Sequence, residues 1–177
     1  MFKLGRLGIL TLSSVALLAT SCAELTSTVE EPNTQTSDTA EVVRHVDGDT
    51  VWLDIDGTEE SVRLIGIDTP EVREGSEPIQ CFGQEASDAI AELLPLGTVV
   101  QIQRDAEVRD RFDRLLLYIF VGDTFVNEEL VRQGFADSRS FPPNTARQSL
   151  LDEAERDAID NNRGLWAACD GPAQPLN

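Results

Sequence analysis

Asp49 and Asp68 stand at the ends of neighbouring predicted strands, with Arg63 between them in the chain and Glu71 three residues past the second acid. The two stretches read Asp47-Gly48-Asp49-Thr50 and Arg63-Leu64-Ile65-Gly66-Ile67-Asp68-Thr69-Pro70-Glu71. Carboxylates at strand ends can converge on a Ca²⁺- or Mg²⁺-class ion, which prefers oxygen ligands, and the Thr69 carbonyl could add a third. Arg63 lies in an otherwise apolar strand, a costly place for a charge without a partner. Its planar fork matches two phosphate oxygens. Arg114, which ends Asp110-Arg111-Phe112-Asp113-Arg114, offers the same fork. Glu71 could take a proton from an attacking water. A hard cation, two guanidinium groups and a base together suit phosphodiester hydrolysis. Taken singly, the pieces read as a hairpin turn, a polar loop and structural salt bridges; their combination and order favour the chemistry.

The elements that must position these groups follow from periodicity. Val42, Val43 and Val46 open a strand, Asp47-Gly48 turns it into Thr50–Ile55, and Asp56-Gly57-Thr58 turns that into Val62–Ile67, a three-stranded meander. Ala86, Ala89, Ile90, Leu93 and Leu94 recur at helical spacing, and Pro95 with Gly97 ends the helix. Val99–Gln103 and Leu115–Val121 give two more strands. Asn127–Gln133 reads as a short helix stopped by Gly134, and a last amphipathic helix starts near Thr145 and stops at Gly164. Five strands and about three helices predict an α+β, mainly β domain built on a small OB-type barrel. Trp52 and Trp166 are expected in the core, and His45, the only histidine, as a strand residue rather than a base.

The chain has 177 residues, room for one ordinary domain. Residues 1–22 read as a leader: Lys3 and Arg6, then an apolar run too short for a stable membrane span. Small residues running up to Cys22 resemble a lipoprotein signal, which would leave Cys22 as a lipid-carrying N-terminus; the plainer reading is an ordinary signal peptide. Polar residues 23–40 predict a disordered tether, 41–169 the folded domain, and 170–177 a flexible tail. With Cys22 assigned to lipid, Cys81 and Cys169 remain as an even pair in an oxidising compartment, expected to bridge. Without Lys3 and Arg6, 12 basic residues, all arginine, face 32 acids, a formal charge of −20. That charge repels polyanions and argues against a broad basic footprint. Either local arginines and bound cations overcome it, or a saline setting screens it.

The same residues resemble the thermonuclease family, the staphylococcal-nuclease-like proteins, over about Val42–Trp166. The resemblance rests on Val46–Thr50, Arg63–Glu71, Cys81–Ala86, Asp110–Arg114, Leu130–Gly134, Pro142-Pro143-Asn144 and Arg163–Trp166. It implies an OB-fold and Ca²⁺-dependent hydrolysis of DNA and RNA at the 5′ oxygen. By position, Asp49, Asp68 and the Thr69 carbonyl would hold Ca²⁺, Arg63 and Arg114 would stabilise the transition state, and Glu71 would be the general base. Arg111 and Phe112 would contact substrate. Phe112 stands where the family often has tyrosine, Asp113 where glycine is frequent, and Asp137–Phe141 contains no counterpart of a second substrate-side tyrosine. The expectation is an exported, lipid-anchored, monomeric nuclease acting on single-stranded or denatured DNA and RNA; the alternative is a non-catalytic, surface-anchored OB module.

Overall fold

The computed structural model describes residues 38–72 and 79–172. The expected leader with Cys22, most of the expected tether and residues 173–177 of the expected tail lie outside the described residues. Thr39–His45 (β1), Thr50–Ile55 (β2) and Thr58–Leu64 (β3) form the antiparallel meander. Their alternation turns Val42, Val51, Leu53, Val62 and Leu64 into the core. β1 begins three residues before Val42, the expected start of the strand: Thr39 pairs with Gln101, and Ala40 is buried. At its other end β1 stops at His45, and Val46, expected in the strand, is 52% exposed. The reason is the turn, because the N–H groups of Val46 and Asp47 both point at the Thr50 carbonyl. Between β2 and β3, Asp56 and Gly57 have φ of 54° and 83°, the left-handed pair that a two-residue hairpin requires.

Past β3 the chain bends at Gly66 into the two-residue strand Ile67–Asp68 (β4). The helix Gly83–Leu93 (α1) lays Ala86, Ala89 and Ile90 on the barrel. Val99–Gln103 (β5) runs antiparallel to β1, and Leu115–Val121 (β6) antiparallel to β5. β6 then pairs in parallel with β3, as Val62↔Leu115, Arg63↔Leu116 and Leu64↔Leu117, and this closes the barrel. The result is the OB-fold, α+β and mainly β. Thr124–Phe125 (β7) extends the sheet at β6 and leads directly into the helix Val126–Arg132 (α2). Asp137–Ser138 (β8) pairs with β4. Gln148–Asp160 (α3) packs Leu151, Ala154 and Ala158 inward; it starts three residues later than expected, because the Thr145 carbonyl closes a turn on the Gln148 N–H.

A fourth helix, Leu165–Ala168 (α4), follows Gly164. Its entry is tight: the Leu165 N–H donates to the Gly134 carbonyl at 2.8 Å, and a Cβ on Gly134 or Gly164 would strike the other segment's backbone. Among the described residues, no helix is long and apolar enough to cross a membrane. Asn127 is fully buried and ties α2 to the barrel, its Oδ1 accepting from Ile119 N and its Nδ2 donating to the Ile65 carbonyl at 2.9 Å. Trp52 is not a core residue; it is half-buried on the barrel's outer face under the Arg44 guanidinium, 4.4 Å from the ring centroid. Trp166 is likewise only half-buried. His45 ends β1 with Nε2 2.7 Å from the Leu94 carbonyl, a packing role.

Candidate active site

The β1–β2 turn delivers Asp49 into the fold, where it is almost fully buried. Its Oδ2 accepts from both the N–H and the Oγ1 of Thr69 at 3.1 Å, and its Oδ1 accepts from Thr50 Oγ1 at 3.0 Å. Thr69 can come this close because residue 48 is glycine: a Cβ there would lie 2.9 Å from Thr69 Oγ1 and 3.0 Å from Ala86. Asp47, at the turn, has its carboxyl pushed up to about 6 by burial, with the Asp49 charge adding to the effect.

Arg63 brings the two acids together. Its Nη2 is 2.9 Å from Asp49 Oδ2 and 2.8 Å from Asp68 Oδ1, while Nη1 donates to the Leu64 carbonyl at 3.1 Å. Asp68 takes a second guanidinium on its other oxygen, with Arg139 Nη1 at 3.3 Å from Oδ2. Arg139 is itself held by Asp137, Nη2 to Oδ2 at 2.9 Å, across the β4–β8 pair that sets Asp68 opposite Asp137. Burial raises the Asp68 carboxyl above its ordinary range, as do Asp49 and Asp137, while Arg63 and Arg139 act against the rise. Among the described residues no group of three or more His, Cys, Asp or Glu side chains is arranged to hold a metal. Any ion between Asp49 and Asp68 would have to draw its further ligands from backbone carbonyl, water or substrate.

Glu71 is fixed through its backbone. Gln80 Oε1 accepts from the Glu71 N–H at 3.0 Å, and the Gln80 N–H donates to the Glu71 carbonyl at 2.9 Å. Gly83 lets the start of α1 approach, since a Cβ there would lie 2.6 Å from that carbonyl. Next to Gln80, Cys81 is disulfide-bonded to Cys169, just past α4.

Arg114 stands at the mouth of β6, two residues from Leu116, the parallel partner of Arg63. Asp110 carries it: Arg114 Nε donates to Oδ2 at 2.8 Å, while the Arg114 and Phe112 N–H groups donate to Oδ1 at 3.0 and 2.9 Å. Burial pushes the Asp110 carboxyl up, but these donors outweigh it and its pKa is lowered. Arg114 Nη1 reaches Thr50 Oγ1 at 3.4 Å, which links it to the residue beside Asp49. Arg63 and Arg114 line one groove of about 650 Å³, together with Asp110, Phe112 and Phe141. Phe112 is 64% exposed, with the Arg111 and Arg114 guanidinium groups 4.6 and 5.5 Å from its ring centroid. Asp113 takes φ of 66°, a conformation that glycine adopts freely and Asp tolerates in a turn.

The barrel thus carries two arginines on one groove, one of them bound to a pair of acids. The family model described as "Staphylococcal nuclease homologue" matches residues 61–168. The chain belongs to this family. Similar relatives include the "Thermonuclease" of Staphylococcus hyicus, 34% identical over 129 residues that cover 73% of this chain and 76% of that protein. The "Thermonuclease" of Staphylococcus intermedius is 36% identical over 125 residues, 71% of this chain and 74% of that protein. The "SPbeta prophage-derived endonuclease YokF" of Bacillus subtilis is 32% identical over 126 residues, 70% of this chain and 42% of that protein.

As a member of the staphylococcal nuclease homologue family, the chain has features that its sequence alone did not reveal. Arg139, in a stretch whose only sequence signal is its lack of a tyrosine, is a neighbour of Asp68. Phe141, in the same stretch, puts an exposed ring on the groove. Asn127 and Asp110 serve as positioning residues. For Asp110 a signal was present, since an aspartate four residues before an arginine in a turn is a common brace; β8 is two residues long and left no periodic trace.

Proposed function

We propose that this protein is a nuclease, an exported Ca²⁺-dependent enzyme that hydrolyses DNA and RNA at the 5′ oxygen and leaves 3′-phosphates. The observation that carries the reading is that Arg63 and Arg114 line one groove while Arg63 also touches both Asp49 and Asp68. The names of the relatives agree with its nuclease part. Asp49, Asp68 and the Thr69 carbonyl would hold Ca²⁺. The donor set is all oxygen, as this ion requires, and both carboxylates already lie within 2.9 Å of a single cationic nitrogen. When bound, the ion would supply positive charge against the phosphoryl oxygens.

The remaining chemistry belongs to side chains. The Arg63 and Arg114 forks offset the charge that develops on the equatorial oxygens, which is normally a large share of such catalysis. Arg114 arrives pre-aimed because Asp110 fixes its Nε and its backbone. Glu71 takes the proton from the attacking water, whose oxygen bonds to phosphorus, while the bond to the 5′ oxygen breaks opposite and that oxygen takes a proton from solvent. Arg111 and the rings of Phe112 and Phe141 receive the neighbouring nucleotide by charge and stacking. A base must be splayed out to reach those rings, so single-stranded or denatured substrate is favoured. Export and a lipid anchor on Cys22 complete the proposal, with a monomer acting on nucleic acid outside the cytoplasm.

The test is cleavage of denatured DNA by protein lacking residues 1–22, in Ca²⁺ and then in EGTA, from low to high salt. Calcium-dependent cleavage supports the nuclease. A net charge of −20 without Lys3 and Arg6, together with the absent tyrosines, favours the alternative, a non-catalytic OB module. Tight metal-independent binding without turnover at every salt concentration would establish that reading instead.

A further inference from the structure

Arg147 is a cation that the active site does not use. Its guanidinium lies 5.7, 5.0 and 5.1 Å from the ring centroids of Tyr118, Phe120 and Phe125, and Nη2 donates to Gln103 Oε1 at 2.6 Å. All of these partners are neutral. By contrast, Arg63, Arg109, Arg114, Arg132, Arg139 and Arg163 each spend their charge on carboxylates. In a chain with 32 acids against 14 bases, a guanidinium seated on aromatic faces keeps its charge uncancelled. Nε is buried, so the Nη groups are the ones that can then serve an anion.

Arg147 lines a surface pocket of about 680 Å³ together with Arg104, Gln101 and Phe120, with Asp38 also in its wall. Two loops connect this pocket to the active-site groove. Glu107 and Asn144 line the groove, and Arg104 and Arg147 lie three residues away from them along the same two loops. The loops are fastened side by side. Glu107 N–H donates to Asn144 Oδ1 at 2.7 Å, Asn144 Nδ2 donates to the Glu107 carbonyl at 2.9 Å, and Ala146 N–H donates to Asp105 Oδ2 at 3.0 Å. Asp105, the acid inside this wall, is surrounded by donors: besides Ala146 it accepts from Tyr118 O–H and from Ala106 N–H.

We propose that this pocket is a second nucleic-acid subsite, which takes the phosphodiester backbone of a single strand that leaves the groove over the Glu107/Asn144 wall. Arg147 and Arg104 meet its phosphate oxygens. The inference rests on the nuclease reading above, and it adds a cationic hold beyond the groove that Arg63, Arg111 and Arg114 line.

The experiment compares kcat/KM for a single-stranded dodecanucleotide with kcat/KM for a dinucleotide too short to leave the groove. Wild type prefers the longer strand. That preference falls about 10-fold in the Arg104→Gln/Arg147→Gln double variant and about 3-fold in Arg104→Gln, which leaves the Arg147 stack intact. It rises severalfold in Gln101→Lys, which adds a cation to the same wall. Circular dichroism checks that each variant is folded. An unchanged preference in Arg104→Gln and Gln101→Lys overturns the subsite, as does a wild type with no preference for length. Cleavage of neither substrate by wild type overturns the nuclease reading, and the subsite with it.

Discussion

Arg63 Nη2 stands 2.9 Å from Asp49 Oδ2, and Arg63 is the residue directly across the β2–β3 ladder from Thr50. The guanidinium therefore serves as the counter-ion of a buried carboxylate as well as a wall of the groove. Removing one partner of such a pair leaves the other uncompensated. For Arg63→Ala in EGTA we expect a stability loss of about 3 kcal/mol. Calcium should restore most of it, since a cation between Asp49 and Asp68 replaces the missing charge. Urea midpoints with and without Ca²⁺ measure both effects. The same variant should lose at least about 100-fold in kcat on denatured DNA, with calcium present throughout.

Asp110 acts on catalysis only through Arg114. Asp110→Asn keeps an acceptor for the Phe112 and Arg114 N–H groups but replaces the charge-assisted bond to Arg114 Nε. The expected result is a fall in kcat of about 10-fold with little change in stability. In an Arg114→Ala background the same change should cost almost nothing further, because the group being aimed is gone. Additive losses in this double-mutant cycle would show that Asp110 works by another route.

The Tyr118 hydroxyl donates to Asp105 Oδ2 at 2.9 Å inside the barrel wall. Burial first, then the Asp105 bond, pushes the phenol up to about 12, against an ordinary 10.0. A folded-state pKa above the unfolded one contributes stability that is full below pH 10 and lost as pH rises toward 12. The urea midpoint of wild type should therefore drop across that window more steeply than that of Tyr118→Phe. At pH 7 the phenylalanine variant should be weaker by about 1 kcal/mol, having lost one hydrogen bond to a carboxylate. Asp105 has the opposite sign. Burial raises its pKa, but donors from Ala146, Tyr118 and Ala106 outweigh that and leave it lowered, so its contribution is lost as pH falls through the acid range.

The Cys81–Cys169 bridge spans 88 residues and ends beside Gln80, which holds both backbone groups of Glu71. Loop-closure entropy makes the bridge worth about 4–5 kcal/mol. Reduction, or Cys81→Ser with Cys169→Ser, should lower the urea midpoint accordingly. It should also reduce kcat under conditions where circular dichroism still shows a folded barrel, because the Gln80 brace on Glu71 loosens. Reduced protein with full activity would separate the bridge from the site.

The meander was legible because strand alternation and the Asp-Gly turns encode contacts between residues close in sequence. The same holds for α1, where Ala86, Ala89 and Ile90 recur on one face. Trp52 departs from the core expectation because it alternates outward between Val51 and Leu53, and its ring is covered by Arg44 rather than by the core. The fourth helix leaves no sequence signal, since one turn after a glycine carries no periodicity.

For the site, the sequence by itself determined which groups are available: two acids at strand ends, two arginines, a glutamate and a shared disulfide pair, in an order that also marks the family. Only the tertiary structure decided how they meet. Closing the barrel through the parallel β3–β6 ladder sets Arg63 against the strand that Arg114 opens, and the short β4–β8 pair brings Arg139 onto Asp68. The physical reason is separation along the chain. Local periodicity records which face of an element is buried, but a ladder between residues some fifty positions apart is selected by the packing of the whole barrel and leaves no spacing to read.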